Sequence, residues 1–119
     1  MSKTVDELII YKQYIELIYY TEMITEKYPK SEKLSLVTNI KNTTYSGIKK
    51  IIVAYKQYNK IDKLRYLGEL DNELKFLKVL IRVSYRRKYI SNNNYKAWAK
   101  KITNICNLLG GWIKACQRQ

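Results

Sequence analysis

Apolar residues recur at three- and four-residue intervals along almost the whole chain, and short polar turns break the pattern three times. Thr4, Val5, Asp6 and Glu7 spell a capping box, and Leu8, Tyr11, Ile15, Ile18 and Tyr19 follow at helical spacing. The pattern predicts a first helix over 5–28, ended by Pro29, the only proline. Ser31 reads as the N-cap of a second helix over 32–57, with Glu32 in its first turn and an inward stripe of Val37, Ile40, Thr44, Ile48, Ile51 and Tyr55. A turn at Asn59 and Lys60 leads to a third helix over 61–89, whose inward stripe is Leu64, Leu67, Leu70, Leu74, Leu77, Ile81 and Tyr85. Ser91 and Asn92, Asn93 and Asn94 compete for the backbone and break the chain again. The fourth helix follows over 93–116, through Tyr95, Ala99, Ile102, Cys106, Leu109 and Ile113. Gly110 and Gly111 do not stop it, because Trp112, Ile113 and Cys116 keep the period.

Helices of this length joined by turns this short must run up and down as neighbours, so the fold class expected is all-α, an up-down-up-down antiparallel four-helix bundle. No strand candidate competes. The third helix is apolar on two sides: Phe76, Val79, Leu80 and Val83 cluster opposite the inward leucines, and Lys75, Lys78, Arg82 and Arg86 form a cationic stripe between. A second apolar face predicts a second partner, read here as the interface of a homo-oligomer. Gly47 and Gly68 lie inside helices, where glycine is unfavourable by roughly 1 kcal/mol relative to alanine, and both are expected to allow close backbone approach.

At 119 residues the chain is a single domain over its whole length, 1–119, large enough to build a core without disulfide or metal. Cys106 and Cys116 lie on one helix, too far apart to bridge within a subunit. With no leader-like start and no long uncharged apolar run, a cytoplasmic location, reduced thiols and no membrane contact are expected.

Charge changes the picture most. There are 23 Lys and Arg against 10 Asp and Glu, and from Leu74 to Gln119 there are eleven basic residues and no acidic one. Such crowding repels itself unless phosphates offset it, which points to a polyanionic partner. Arg82, Arg86, Arg87 and Lys88 lead into the third turn, with Lys75 and Lys78 behind them; Lys96, Lys100 and Lys101 begin the helix that returns alongside. Lys49, Lys50, Lys56, Lys60, Lys63 and Arg65 gather around the opposite turn. Tyr85 and Tyr89 interleave with the basic run and offer rings for stacking on unpaired bases. Chemistry is poorly served: the chain has no His, Lys49 and Lys50 lack a glycine-rich loop, and Glu69, Asp71 and Glu73 have no second acidic cluster for a two-metal site. No enzymatic activity, metal or cofactor is expected.

The turn Tyr28 to Lys33 (YPKSEK) followed by Leu36 and Ile40, the turn Tyr89 to Asn93 before Tyr95, and the ending Leu109 to Lys114 (LGGWIK) together resemble the accessory variability determinant (Avd) family of diversity-generating retroelements. The resemblance spans essentially the whole chain and is most specific at LGGWIK. It implies a basic bundle that assembles as a ring-like homopentamer and associates with the element's reverse transcriptase and template RNA, with cDNA or the hybrid as further candidates, in support of cDNA synthesis during mutagenic retrohoming. Polymerisation would belong to the reverse transcriptase. Arg82, Arg86 and Arg87 are the leading positions for RNA or polymerase contact. The alternatives are an RNA-binding bundle of the type encoded in ribosomal RNA intervening sequences, and an oligomeric scaffold for an acidic protein.

Overall fold

The structure, a computed structural model, describes residues 4–119 apart from the side chain of Asp6, so that member of the expected capping box lies outside the described residues. Four α-helices follow one another: α1 (Ile9–Thr25), α2 (Leu36–Lys56), α3 (Lys60–Arg86) and α4 (Asn92–Gln117), with short 3-10 turns at Val5–Glu7 and Lys30–Glu32. Among the described residues there is no strand. Each helix packs against its neighbours in sequence, and α4 closes the square against α1. Contacts across the helix pairs fix the antiparallel sense. Trp98, early in α4, donates its indole N–H to Thr21 Oγ1, late in α1, at 3.1 Å, and Lys60, at the start of α3, reaches the Gln117 carbonyl at the end of α4 at 3.0 Å. The bundle measures 46 × 24 × 21 Å.

Local chemistry sets the helix ends. Asn59 caps α3, its Oδ1 accepting from the backbone N–H groups of Ile61 (2.8 Å) and Asp62 (3.2 Å), and Ser91 Oγ caps α4 by accepting from Asn94 N–H at 3.1 Å. Lys33 donates to the last carbonyls of α1, those of Thr25 (2.9 Å) and Glu26 (3.0 Å), where a cation complements the helix dipole. Two helix starts differ from the sequence expectation. Leu8 is extended, so the residues after Thr4 close one 3-10 turn and α1 begins only at Ile9. Likewise α2 begins at Leu36, not near Glu32, because Lys30–Glu32 forms its own 3-10 turn. Through Gly110 and Gly111 α4 continues unbroken, as the periodicity demanded.

Most of the inward faces expected for α2 and α3 are buried, Val37, Ile40, Thr44 and Ile51 from the first and Leu67, Leu70, Leu74, Leu77 and Ile81 from the second, whereas Ile48, Tyr55 and Leu64 are half-buried and Tyr85, near the end of α3, is exposed. On α1 the face is rotated. Ile10, Tyr14, Leu17, Thr21 and Ile24 are buried, whereas Tyr11, Ile15 and Ile18 flank the core and Tyr19 is exposed. The true stripe runs beside two buried threonines whose hydroxyls are both satisfied: Thr25 donates within α1 to the Thr21 carbonyl at 2.8 Å, and Thr21 accepts from Trp98 on α4. On α4, Trp98 and Ile105 join Ile102 and Leu109 at the centre, while Tyr95, Ala99, Cys106 and Ile113 sit at the edge. Both cysteines are free.

The two helix-interior glycines divide. Gly47 is buried, and a Cβ there would run into the Tyr14 hydroxyl, so α1 and α2 approach because glycine is present. Gly68 is exposed with nothing within 4 Å of a Cβ, and the expectation of close approach fails there.

Candidate nucleic-acid interface

Because α3 and α4 run antiparallel, the acid-free stretch from Leu74 onward folds back on itself, bringing the end of α3 beside the start of α4. Tyr85 and Tyr95 stack across that junction, their ring centroids 4.5 Å apart and their planes 7° from parallel. The next residue after each ring is basic, Arg86 on α3 and Lys96 on α4. Lys78, Arg82 and Arg86 continue along α3 at helical spacing, and Lys100 follows one turn beyond Lys96. Arg82 and Arg86 also border a groove of about 260 Å³ floored by Val79 and Val83, with Arg87 at its edge.

Ion pairs sort the predicted residues. Among the described residues they engage Lys50 with Glu69 (2.7 Å), Lys75 with Asp71 (2.8 Å), Arg65 with Asp62 and Glu69 (both 3.6 Å), and Arg87 with Glu32 (2.9 Å). Within the same limits, Lys78, Arg82, Arg86, Lys88, Lys96 and Lys100 take part in none, nor do Lys49 and Lys56 on α2. Lys101 turns inward, its ammonium 5.2 Å from the centre of the Tyr20 ring. Glu69 and Asp71 are occupied by their cations, and among the described residues no acidic, Cys or His group is arranged to hold a metal ion.

The turn that presents this cationic edge is built from the backbone. At the end of α3 the N–H of Tyr89 donates to the Ser84 carbonyl (3.0 Å) and that of Lys88 to the Tyr85 carbonyl (2.9 Å), the bond pair of a Schellman motif. The motif requires a left-handed residue, supplied by Lys88 at φ 65°, a conformation glycine adopts without Cβ strain. Replacing Lys88 with Gly should therefore stabilise the fold by about 1 kcal/mol while removing one cation from the edge. Chemical denaturation and an RNA-binding titration on the same variant would separate the two effects.

Glu32 joins this turn to the one between α1 and α2. The carboxylate is nine-tenths buried. Its Oε2 accepts from the Tyr89 hydroxyl (2.7 Å) and an Arg87 N–H (2.9 Å), and its Oε1 from the Ser35 hydroxyl (2.7 Å). Those bonds, that from Tyr89 foremost, hold the carboxyl below the usual carboxylate range. Since the folded pKa lies below that of the unfolded chain, the three bonds stabilise the fold at neutral pH, and the contribution fades as pH falls through the folded value. Arg87 is thus a structural cation as well as a surface one. Tyr89, tied to Glu32 and packed on Tyr28 at 5.3 Å, is likewise part of the turn's framework, leaving exposed Tyr85, stacked on half-buried Tyr95, as the aromatic element open to a partner. The sequence signal for this network was the one acidic residue of YPKSEK, which reads as a first-turn helix residue until the other turn is seen beside it.

The outer apolar face of α3 is narrower than expected. Phe76 and Val79 are exposed and Val83 is half-buried, but Leu80 is buried in this chain's own core, because its position also borders the inward leucines.

An all-helical square of antiparallel helices, basic along its second half and cationic at one end, defines the class: a small basic four-helix-bundle protein. More narrowly, the chain belongs to the bAvd-like family, which it matches over residues 8–116. Among curated proteins no relative matches it. No helix among the described residues is long and apolar enough to cross a membrane.

Proposed function

We propose that this protein is a non-catalytic accessory subunit of a diversity-generating retroelement, binding the reverse transcriptase and its template RNA in support of cDNA synthesis, and working as a ring-like homopentamer. One observation carries the reading: six cations on α3, the turn and α4, namely Lys78, Arg82, Arg86, Lys88, Lys96 and Lys100, lie in an acid-free stretch and hold no ion-pair partner among the described residues. Ordered helices that carry uncompensated charge suit a phosphate backbone, which repays the repulsion by counterion release. The match to the bAvd-like family supports the accessory role that the resemblance to Avd implies. Exposed Phe76 and Val79 on α3 suit a subunit contact beside the cationic stripe.

Co-expression with the product of the neighbouring gene, expected to be a reverse transcriptase, followed by sequencing of the nucleic acid that copurifies, tests the partners. The expected result is a ternary complex containing the element's own template RNA. Light scattering should give the mass of five 14.2 kDa chains. A chain that copurifies with neither enzyme nor RNA would overturn the reading.

A further inference from the structure

At the end of the bundle opposite the turn between α3 and α4, the starts of α1 and α3, the end of α2 and the later turns of α4 leave a cleft open to solvent. Its inner part, about 290 Å³, has apolar walls that include Ile9, Leu108 and Trp112, and Lys63 is its one charged lining residue. Tyr55 and Lys63 also border a second part of about 600 Å³, where Lys56, Gln57 and Tyr58 complete the lining. Ile9 is 62% exposed and Tyr58 fully so, which leaves an apolar surface without a partner in the folded chain.

The chemistry of the lining narrows the occupant. Lys56 and Lys63 take part in no ion pair among the described residues, and the nearest carboxylate in sequence, Asp62, faces Arg65 at 3.6 Å. Two uncompensated ammonium groups beside aliphatic walls favour a ligand that is apolar at one point and acidic next to it. Nucleic acid fits less well, since the inner part has one cation for a polymer charged at every residue, and aliphatic walls read no base edge. We propose that this cleft docks an acidic segment of a protein partner, with one bulky apolar side chain seated against Ile9, Leu108 and Trp112 and flanking carboxylates meeting Lys56 and Lys63. That a protein partner exists rests on the accessory-subunit reading above; where it docks does not.

The test uses the full chain and a fluorescein-labelled synthetic peptide in which a Leu-Phe pair is flanked on each side by two aspartates, with a control peptide carrying two serines in place of Leu and Phe. Fluorescence anisotropy should show saturable binding of the first peptide and far weaker binding of the second. Lys63→Glu, a half-buried position in the first turn of α3 where an acidic residue suits the helix dipole, and Ile9→Gln, at an exposed position, should each weaken the first peptide roughly tenfold or more. Thermal melts check the fold, and Ile9→Gln should bind structured RNA as the unmodified protein does. Equal binding of the two peptides, indifference to both substitutions, or no saturable binding at millimolar peptide would overturn the proposal. So would light scattering that shows Ile9→Gln falling to a smaller assembly, since the cleft would then belong to a second copy of this chain. Peptide binding by a chain that copurifies with neither reverse transcriptase nor RNA would sink the accessory-subunit reading and leave the cleft standing.

Discussion

Gly47→Ala should destabilise the protein by about 2–4 kcal/mol, while Gly68→Ala, the same chemical change in a neighbouring helix, should stabilise it by up to about 1 kcal/mol. The difference lies in what the new methyl group meets. At Gly47 it runs into the hydroxyl and the ring of Tyr14, and that ring has nowhere to go: it is fully buried, and its hydroxyl donates to the Thr44 carbonyl at 2.7 Å. Either the ring leaves its hydrogen bond or α1 and α2 move apart, and each response disturbs a close-packed core. Burial also raises the phenol pKa well above its ordinary value, so the hydroxyl stays protonated and remains a donor across the accessible pH range. At Gly68 the methyl enters open solvent, and only the helix propensity and the restricted unfolded chain count. A double-mutant cycle checks the mechanism: Tyr14→Phe removes the atom that the methyl would strike first, so Gly47→Ala should cost less in that background than alone. Urea melts of the four proteins give the numbers, and additive effects would show that the glycine matters for another reason.

The same pair of positions shows where sequence reading reaches and where it stops. Both glycines interrupt a helical pattern and both read as sites of close approach; only the partner across the interface distinguishes them, and the partner is 33 residues away in one case and absent in the other. The turns were legible because Pro29, Asn59 and Ser91 act on their own backbone, and α2 and α3 were legible because their apolar residues form one dominant stripe. On α1, with isoleucines and tyrosines on nearly every side, periodicity offered a stripe one residue away from the true one. The buried threonines that mark the true face look polar until Trp98, 77 residues on, supplies the proton that Thr21 accepts. For the candidate interface, the acid-free run after Leu74 was plain in the sequence, as was the stripe on α3. What could not be read was the division of labour within it, because Glu32, which engages Arg87, comes from a turn 55 residues earlier. The cleft at the far end was hidden for a similar reason, since its lining comes from all four helices.

That division of labour carries the second large effect, on affinity for RNA. If the six unpaired cations each neutralise one phosphate of a single-stranded template, the slope of log K against log salt is about −4, and affinity falls roughly 300-fold between 50 and 200 mM. Replacing both Arg82 and Arg86 with Ala should flatten the slope by about 1.4 and leave the melting temperature nearly unchanged, because both side chains are exposed and neither holds an ion-pair partner among the described residues. Arg87→Ala should do the reverse. Its loss leaves the buried Glu32 carboxylate with Tyr89 and Ser35 alone, so the melting temperature should drop at neutral pH, and the drop should shrink as acid protonates Glu32. The slope should change by less than it does for either exposed arginine, since a guanidinium already paired has less charge to offer a phosphate. Filter binding over a salt series, with melts at neutral and acidic pH, measures both quantities on each variant. Should Arg87→Ala flatten the slope as much as Arg82→Ala while leaving the melt unmoved, the Glu32 pair would be a surface contact without structural weight, and all three arginines would then belong to the binding edge alike.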